Sequence, residues 1–560
     1  MRPKRFVALL LSIPVLLTAC APAASTQSGE STEARPSGPR SITAAIAGAP
    51  PVLDSRFNTS SNKPGWNEAA LLYSGELTSL DNGAILKPRL AEAAPTTENG
   101  DWKVFPDGTM ETQLTIKRGA SWHDGAPLTT TDLLFTDRVA HDKSLPQAVQ
   151  VAHTYLDRME ALDGRTIVMR WKQPFIQADR YPLGAALPSH ILEMGYDADH
   201  QSILSHPYLT TEFVGTGPFK VTNYEPGVGI SLAAFDQYAL GRPKIDQIEV
   251  RFILDLGATM ANVLAGEIDM TMGRGLSTEQ GVQLVNQWRS GRVSYDYKSW
   301  LAVYRQYIDP NPPVISTLPF GKGLMHAIDR QEMVETLQYG HSAVAEISLD
   351  LSHPHYNEIL SRVPRYPYDP RRAAQYFQDA GYTRGGDGVL VNSAGQKLEL
   401  EIRTTGDLDI HLKSIGAMAD YLRKAGMIVT ETIIPTLLAG DRPYRVTYPG
   451  LQLLRQPYGE DALVGFLHSS RLPTPENGYV GGNNSRYSNR EWDALLERYA
   501  VTIPYPERMK ALSDVMYHLE DQLPAMSLFY DTQLVLFSNR MANVDARSML
   551  GFNAETWELK

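Results

Sequence analysis

The sequence predicts an α/β fold built as two lobes with a cleft between them, and three observations lead there. A helical pattern over 413–425, with Ile415, Met418, Ala419 and Leu422 on one face, ends at Gly426 and runs directly into an apolar strand, Met427 to Ile434. A second helical stretch, 258–265, ends at Gly266 and leads into Ile268, Asp269 and Met270. Repeated helix-to-strand units favour α/β lobes with covered sheets, and such sheets bind ligands outside the carboxyl ends of their strands. The third observation is length: of 560 residues, about 520 follow an N-terminal tail, enough for two large lobes.

Other elements carry their own signals. Trp102 to Phe105, the turn pair Asp107-Gly108 and Thr112 to Ile116 read as a hairpin. After the turn pair Asp163-Gly164, Ile167, Met169 and Trp171 alternate with Thr166, Val168 and Arg170, as in a half-buried strand. Ile248, Val250, Phe252 and Leu254 alternate likewise. Asp369-Pro370 suits the N-cap and first turn of a helix with Ala373, Tyr376, Phe377 and Ala380 on one face, and Gly381 suits its C-terminal turn. Asn489 caps a helix bearing Trp492, Leu495, Leu496 and Tyr499, and a third helix spaces Met509, Leu512, Met516 and Leu519. These stripes are assigned to packing.

The N-terminus reads as an export signal. Arg2, Lys4 and Arg5 precede an apolar run from Phe6 to Leu17, shorter than the roughly 20 residues a membrane-spanning helix needs and interrupted by Pro14. Leu17-Thr18-Ala19-Cys20 looks like a bacterial lipobox, so 1–20 is expected to be a lipoprotein signal and Cys20 the lipidated residue. Cys20 is the one cysteine of the chain, which excludes disulfides and cysteine-based metal sites in the body. Residues 21–40 have nothing large to bury and read as a flexible tether. The net charge of −11 argues against a nucleic-acid partner.

Catalytic and metal motifs are weak throughout. His123-Asp124-Gly125 reads better as a strand-to-turn corner than as a base with its orienting acid. Gly215-Thr216-Gly217-Pro218 lacks the third glycine of a dinucleotide loop and reads as a tight turn entering a strand. His353-Pro354-His355, with His341 nearby, reads as a loop rather than a metal site. Ser60-Ser61-Asn62-Lys63 has the form S-x-x-K, but Pro64 disfavours the helix that motif needs. No cofactor is expected. A lipid-anchored extracytoplasmic hydrolase is the rival class, and a solute sensor or chaperone of the same fold a third.

Several blocks, in order, resemble one family. Leu86 to Glu92, Thr115 to Gly119 and Trp122 to Thr129 are similar to its "P-x-LAE … HDG-x-P-[LV]-T" signature. Val214 to Lys220, Tyr224 to Gly227, Gly241 to Asp246 and Ala265 to Asp269 follow, then Ala327 to Arg330, Tyr368 to Pro370, Ala380 to Tyr382 and Tyr487 to Asn489. From about Leu71 to Arg540 the chain resembles the bacterial extracellular solute-binding proteins of family 5, the peptide/opine/nickel-binding receptors. The resemblance implies a two-lobed periplasmic binding protein type II fold (cluster C) with an extra domain in the first lobe. By analogy lobe I comprises 41–80, 205–300 and 520–560, the extra domain 81–204 and lobe II 301–519. It implies a non-enzymatic, monomeric subunit that closes on a small solute, foremost a peptide, and hands it to the permease and ATPase of an ABC importer.

The resemblance also implies where the solute is read. In peptide-binding members an acidic residue in a W-x-x-D-type segment of the second lobe pairs with the peptide's amino terminus. The corresponding stretch here, Gly450 to Asp461, has no such Trp and places Arg455 where a cation would repel an ammonium group. Either Glu460 or Asp461 takes the ammonium contact, or the ligand presents an anion or hydroxyls to Arg455 and Gln456. Tyr458 lies in the same stretch. The remaining candidates are Trp66 and Asn67 in an early loop, and Trp300 and Tyr304 near the lobe crossover.

Overall fold

Two long antiparallel strands, Gly291–Arg305 and Ala525–Ser538, organise the molecule in its computed structural model. They lie at the centre of a ten-stranded sheet. On one side stand Leu451–Pro457, Glu399–Thr405 and Ile428–Ile434; on the other Met270–Thr271, Ser41–Ile46, Gln247–Phe252, Gly229–Ala234 and Phe219–Glu225. The structure describes residues 38–57, 65–81, 85–145, 151–181, 184–406, 408–438, 440–457, 463, 467–545 and 550–560. Met1–Pro39 and Arg40–Lys560 are separate units, and all ten strands of this sheet belong to the second.

The central strands join the two halves because each engages a different side along its length. Ser299 to Arg305 pair with Leu451–Pro457, whereas Phe537, at the far end of the partner strand, pairs with Met270. The ladder between the two slips at Tyr297/Ser299 and at Leu301/Ala302. Side chains on successive residues face opposite ways, so Leu301 and Val303 enter one core while Trp300, Ala302 and Tyr304 enter another. Ala525–Ser538 is covered on both faces and reads as a largely apolar run, whereas the first half of Gly291–Arg305 is half-buried and alternates Val293, Tyr295 and Tyr297 with Ser294 and Asp296.

Both helix-to-strand units form. Helix Asp409–Lys424 reaches Gly426 (φ 101°), and the following strand pairs in parallel with Glu399–Thr405. Helix Leu256–Ala265 is capped by the Asp255 carboxylate, which accepts from the Ala258 N–H, and stops at Gly266 in the left-handed region. The strand after it is only Met270–Thr271, because it pairs with just two residues of Ser41–Ile46. Asp369 and Asn489 cap their helices through two backbone N–H groups each.

The expected hairpin pairs Trp102 with Thr112 and belongs to a separate four-stranded antiparallel sheet, Trp102–Val104, Met110–Thr115, Thr166–Trp171 and Leu156–Ala161. That sheet has its own core around Trp122, Trp171 and Tyr181. Val168, expected on the open face, is buried, so this strand is covered on both sides.

Candidate functional site

Near the slip in the central ladder, one carboxylate gathers groups from both halves of the sheet. Asp531 is fully buried and sits opposite Ser299. Its Oδ2 accepts from Arg274, which follows the short strand of the first half, and from Arg455 Nε at 2.7 Å, on a strand of the second half. Ser299 Oγ stands 3.4 Å away. Asp531 Oδ1 has no hydrogen-bond partner among the described residues. The Arg455 backbone N–H donates to His411 Nε2 at 3.1 Å, leaving the other ring nitrogen to face Thr405 Oγ1 at 3.0 Å.

Two more contacts close the seam between the halves. Thr278 Oγ1 bonds Gln338 Oε1 at 2.9 Å in a buried setting, and Lys413 Nζ pairs with Glu279 at 2.9 Å. The hydrogen bond from Lys413 holds the Glu279 carboxyl below its usual range. Between them lies a cavity of about 130 Å³ lined by Ala47, Leu254, Arg274, Leu276, Leu408 and Lys413, among others. Ala47, Leu254, Arg274 and Leu408 each follow the carboxyl end of a strand, where α/β sheets place ligands.

The sequence candidates are distributed unevenly around this seam. Arg455 is at its centre and Gln456 beside it, half-buried and opposite Trp300. Trp66, Trp300 and Tyr304 are enclosed in cores instead of walling an open cleft: Trp66 is 0% exposed and packs near Tyr73, and the other two sit under the helices that cover the second half. The Trp66 and Trp300 indole N–H groups have no acceptor among the described residues. Asn67 is exposed. Cys20, Tyr458, Glu460, Asp461 and the Ser60-to-Lys63 motif lie outside the described residues.

Sequence reasoning missed Arg274 and Asp531. The available signal was a lone carboxylate in the apolar run Ala525 to Ser538, since a buried acid in such a strand needs a cationic partner. Its presence also alters the reading of Arg455, whose charge is met by Asp531.

The histidine motifs make contacts that hold the fold together. His123 ties two family blocks together: Nδ1 accepts from the Gly215 N–H at 3.2 Å, and Nε2 therefore donates to the Gly217 carbonyl at 2.9 Å. Asp124 turns away to His190, 2.9 Å off, so no His123–Asp124 pair forms. His353 and His355 are 6.0 Å apart between ring centres, and His341 instead stacks on Tyr295.

Two α/β halves joined by two long strands, with charged groups from both meeting at the seam, define a two-lobed solute-binding protein. The chain belongs to the bacterial extracellular solute-binding proteins, family 5, whose model matches residues 86–448. It is 24% identical over 536 residues to the oligopeptide-binding protein AppA of Bacillus subtilis, covering 94% of this chain and 92% of that one. The solved structure of AppA with a nonapeptide superposes with a TM-score of 0.75 at 21% identity, over 93% of this chain and 100% of that one. NikZ of Campylobacter jejuni, solved with Ni(L-His), gives a TM-score of 0.76 at 19% identity, over 93% and 100%.

Proposed function

We propose that this protein captures peptides outside the cytoplasm and delivers them to the permease and ATPase of an ABC importer, without chemical change to the cargo. The observation that carries the peptide reading is the end-to-end match to an oligopeptide-binding protein, 94% of one chain against 92% of the other. Ni(L-His) bound to a protein of the same fold makes a metal chelate the second reading. Solute is held between lobes that close by hinge motion, lobe I being 41–80, 205–300 and 520–560, the extra domain 81–204 and lobe II 301–519. The central strand 291–305 runs through the proposed boundary at 300/301, and its partner 525–538 follows the return to lobe I at 520. The protein acts as a monomer, held at the membrane through acylated Cys20.

Thermal unfolding of the chain from Ala21 onward, screened against peptides of graded length, oligosaccharides and Ni²⁺ chelates, tests the reading. A peptide at 100 times its dissociation constant adds about 2.7 kcal/mol to stability and is recovered intact. Stabilisation by chelates alone would move the cargo class to the second reading, and recovery of hydrolysed peptide would favour the hydrolase. Separately, Cys20→Ala shifts the protein from the membrane fraction to the soluble fraction; unchanged fractionation would rule out the anchor.

A further inference from the structure

A cluster of side chains of metal-ligating type stands at the end of helix Thr130–Ala140, which packs in the core of the four-stranded sheet. This helix begins with a reciprocal cap between Thr129 and Asp132 and carries Asp137 on its last turn, with His141 immediately beyond it. The short helix Ala152–Tyr155 brings His153 back alongside. One carboxylate oxygen of Asp137 and one nitrogen from each imidazole all lie within 4.8 Å of one another. The imidazoles stack with centres 3.9 Å apart and planes 21° from parallel.

The protein's own contacts account for part of this arrangement. His141 Nδ1 is 2.9 Å from the Asp137 carbonyl and 3.4 Å from its carboxylate, and the Tyr181 hydroxyl donates to that carboxylate. They leave His153 Nε2 buried and without a hydrogen-bond partner among the described residues. A buried ring nitrogen left bare loses its hydration with nothing in return. A cation drawn in between the three side chains would supply the missing partner. Tyr181 would then serve as the outer hydrogen bond that fixes a ligating carboxylate.

We propose that Asp137, His141 and His153 form a binding site for a late first-row divalent cation, with Zn²⁺ as its representative. Two imidazoles and one carboxylate suit Zn²⁺ and its neighbours, whereas Ca²⁺ and Mg²⁺ need sets dominated by oxygen. Tetrahedral ligand atoms around Zn²⁺ stand about 3.3 Å apart, so the trio reaches bonding geometry by rotation of the exposed His141 side chain. Three protein ligands leave a fourth position toward solvent at His141. The site ties the end of one helix to the segment returning at His153, and shares no residue with the seam.

Calorimetric titration of the metal-free chain from Ala21 onward, which keeps the whole Arg40–Lys560 unit, tests this directly. Zn²⁺ is titrated into the wild type, His141→Ala and His153→Gln, with Mg²⁺ as the comparison cation. The expected result is one Zn²⁺ equivalent in the wild type that is weakened in either variant by more than the roughly 100-fold that loss of an outer hydrogen bond to a ligand can cost and is not matched by Mg²⁺. In EDTA, melting temperatures of wild type and His141→Ala agree, so the loss is one of ligation and not of folding. A wild type that takes up no Zn²⁺, variants that bind the same equivalents with the same affinity, or equal binding of Mg²⁺ would each overturn the proposal.

Discussion

Asp531 is the residue on which both halves of the molecule converge, and its energetics follow from burial. A carboxylate with no exposure is tolerated because two guanidiniums compensate it. Asp531→Ala removes the buried carboxylate that Arg274 and Arg455 share and is expected to lower the free energy of urea unfolding by about 3 kcal/mol. Arg455→Ala is expected to cost about half as much, since Arg274 stays in place and Arg455 is already 30% exposed. Equal stability of Asp531→Ala and wild type would contradict the trio's role. His123 sets a pH dependence. Burial, partly offset by its bond to Gly217, pushes its pKa down to about 4 from an ordinary 6.5. The unfolded chain therefore binds the extra proton between pH 6.5 and 4, and stability present above that window is lost as pH falls through it, by about 3 kcal/mol in all. Urea unfolding at pH 7 and pH 4.5 should show a smaller pH-dependent loss for His123→Gln than for wild type; identical losses would contradict this. Neither residue's role was legible from its neighbours in sequence. His123 was recognisable as a corner, but its partners lie 92 and 94 positions away, and Arg274 meets Asp531 across 257.

At the scale of elements, the sequence was most informative where local chemistry decides the outcome. Caps at Asp369 and Asn489, and left-handed stops at Gly266, Gly381 and Gly426, mark helix ends through contacts within a few residues. It was least informative where tertiary cover decides. The strand after Gly266 is cut to two residues by its neighbours, and Trp300 and Tyr304 face inward because strand alternation turns them to a covered side. Gly215 to Pro218 leads into the strand Phe219–Glu225 as expected, but as an extended segment with a bend at Gly217-Pro218 rather than a tight turn, and its requirement for glycine comes from the Tyr73 backbone. A Cβ on Gly217 would lie 2.5 Å from the Tyr73 carbonyl carbon, and one on Gly215 would lie 1.9 Å from its oxygen. Gly217→Ala is therefore expected to destabilise by about 3 kcal/mol, whereas Gly386→Ala, which meets nothing within 4 Å, stays near wild type. Denaturant midpoints of the two variants make the comparison, and equal midpoints would contradict the close approach.

For the whole molecule, ordered family blocks made the fold and the solute-binding class legible, and the seam explains why the cargo was not. Lys413–Glu279, Thr278–Gln338 and the Asp531 trio bring together segments far apart in the chain, a pairing no local pattern announces. Their energies differ in kind. Lys413 and Glu279 are 35% and 44% exposed, so Lys413→Ala should change unfolding free energy by no more than about 0.5 kcal/mol, a bound calorimetry can check. The cavity of about 130 Å³ lies at the strand ends and is lined from both halves, and Glu460 or Asp461 is proposed for the contact to a peptide's amino terminus, with Arg455 and Gln456 as the alternative for an anion or hydroxyls. Lobe closure on a solute is tested most directly by the radius of gyration from small-angle X-ray scattering, with and without a peptide that raises the melting temperature. Capture between closing lobes predicts a smaller radius in the bound state; a peptide that binds tightly and leaves the radius unchanged would contradict it.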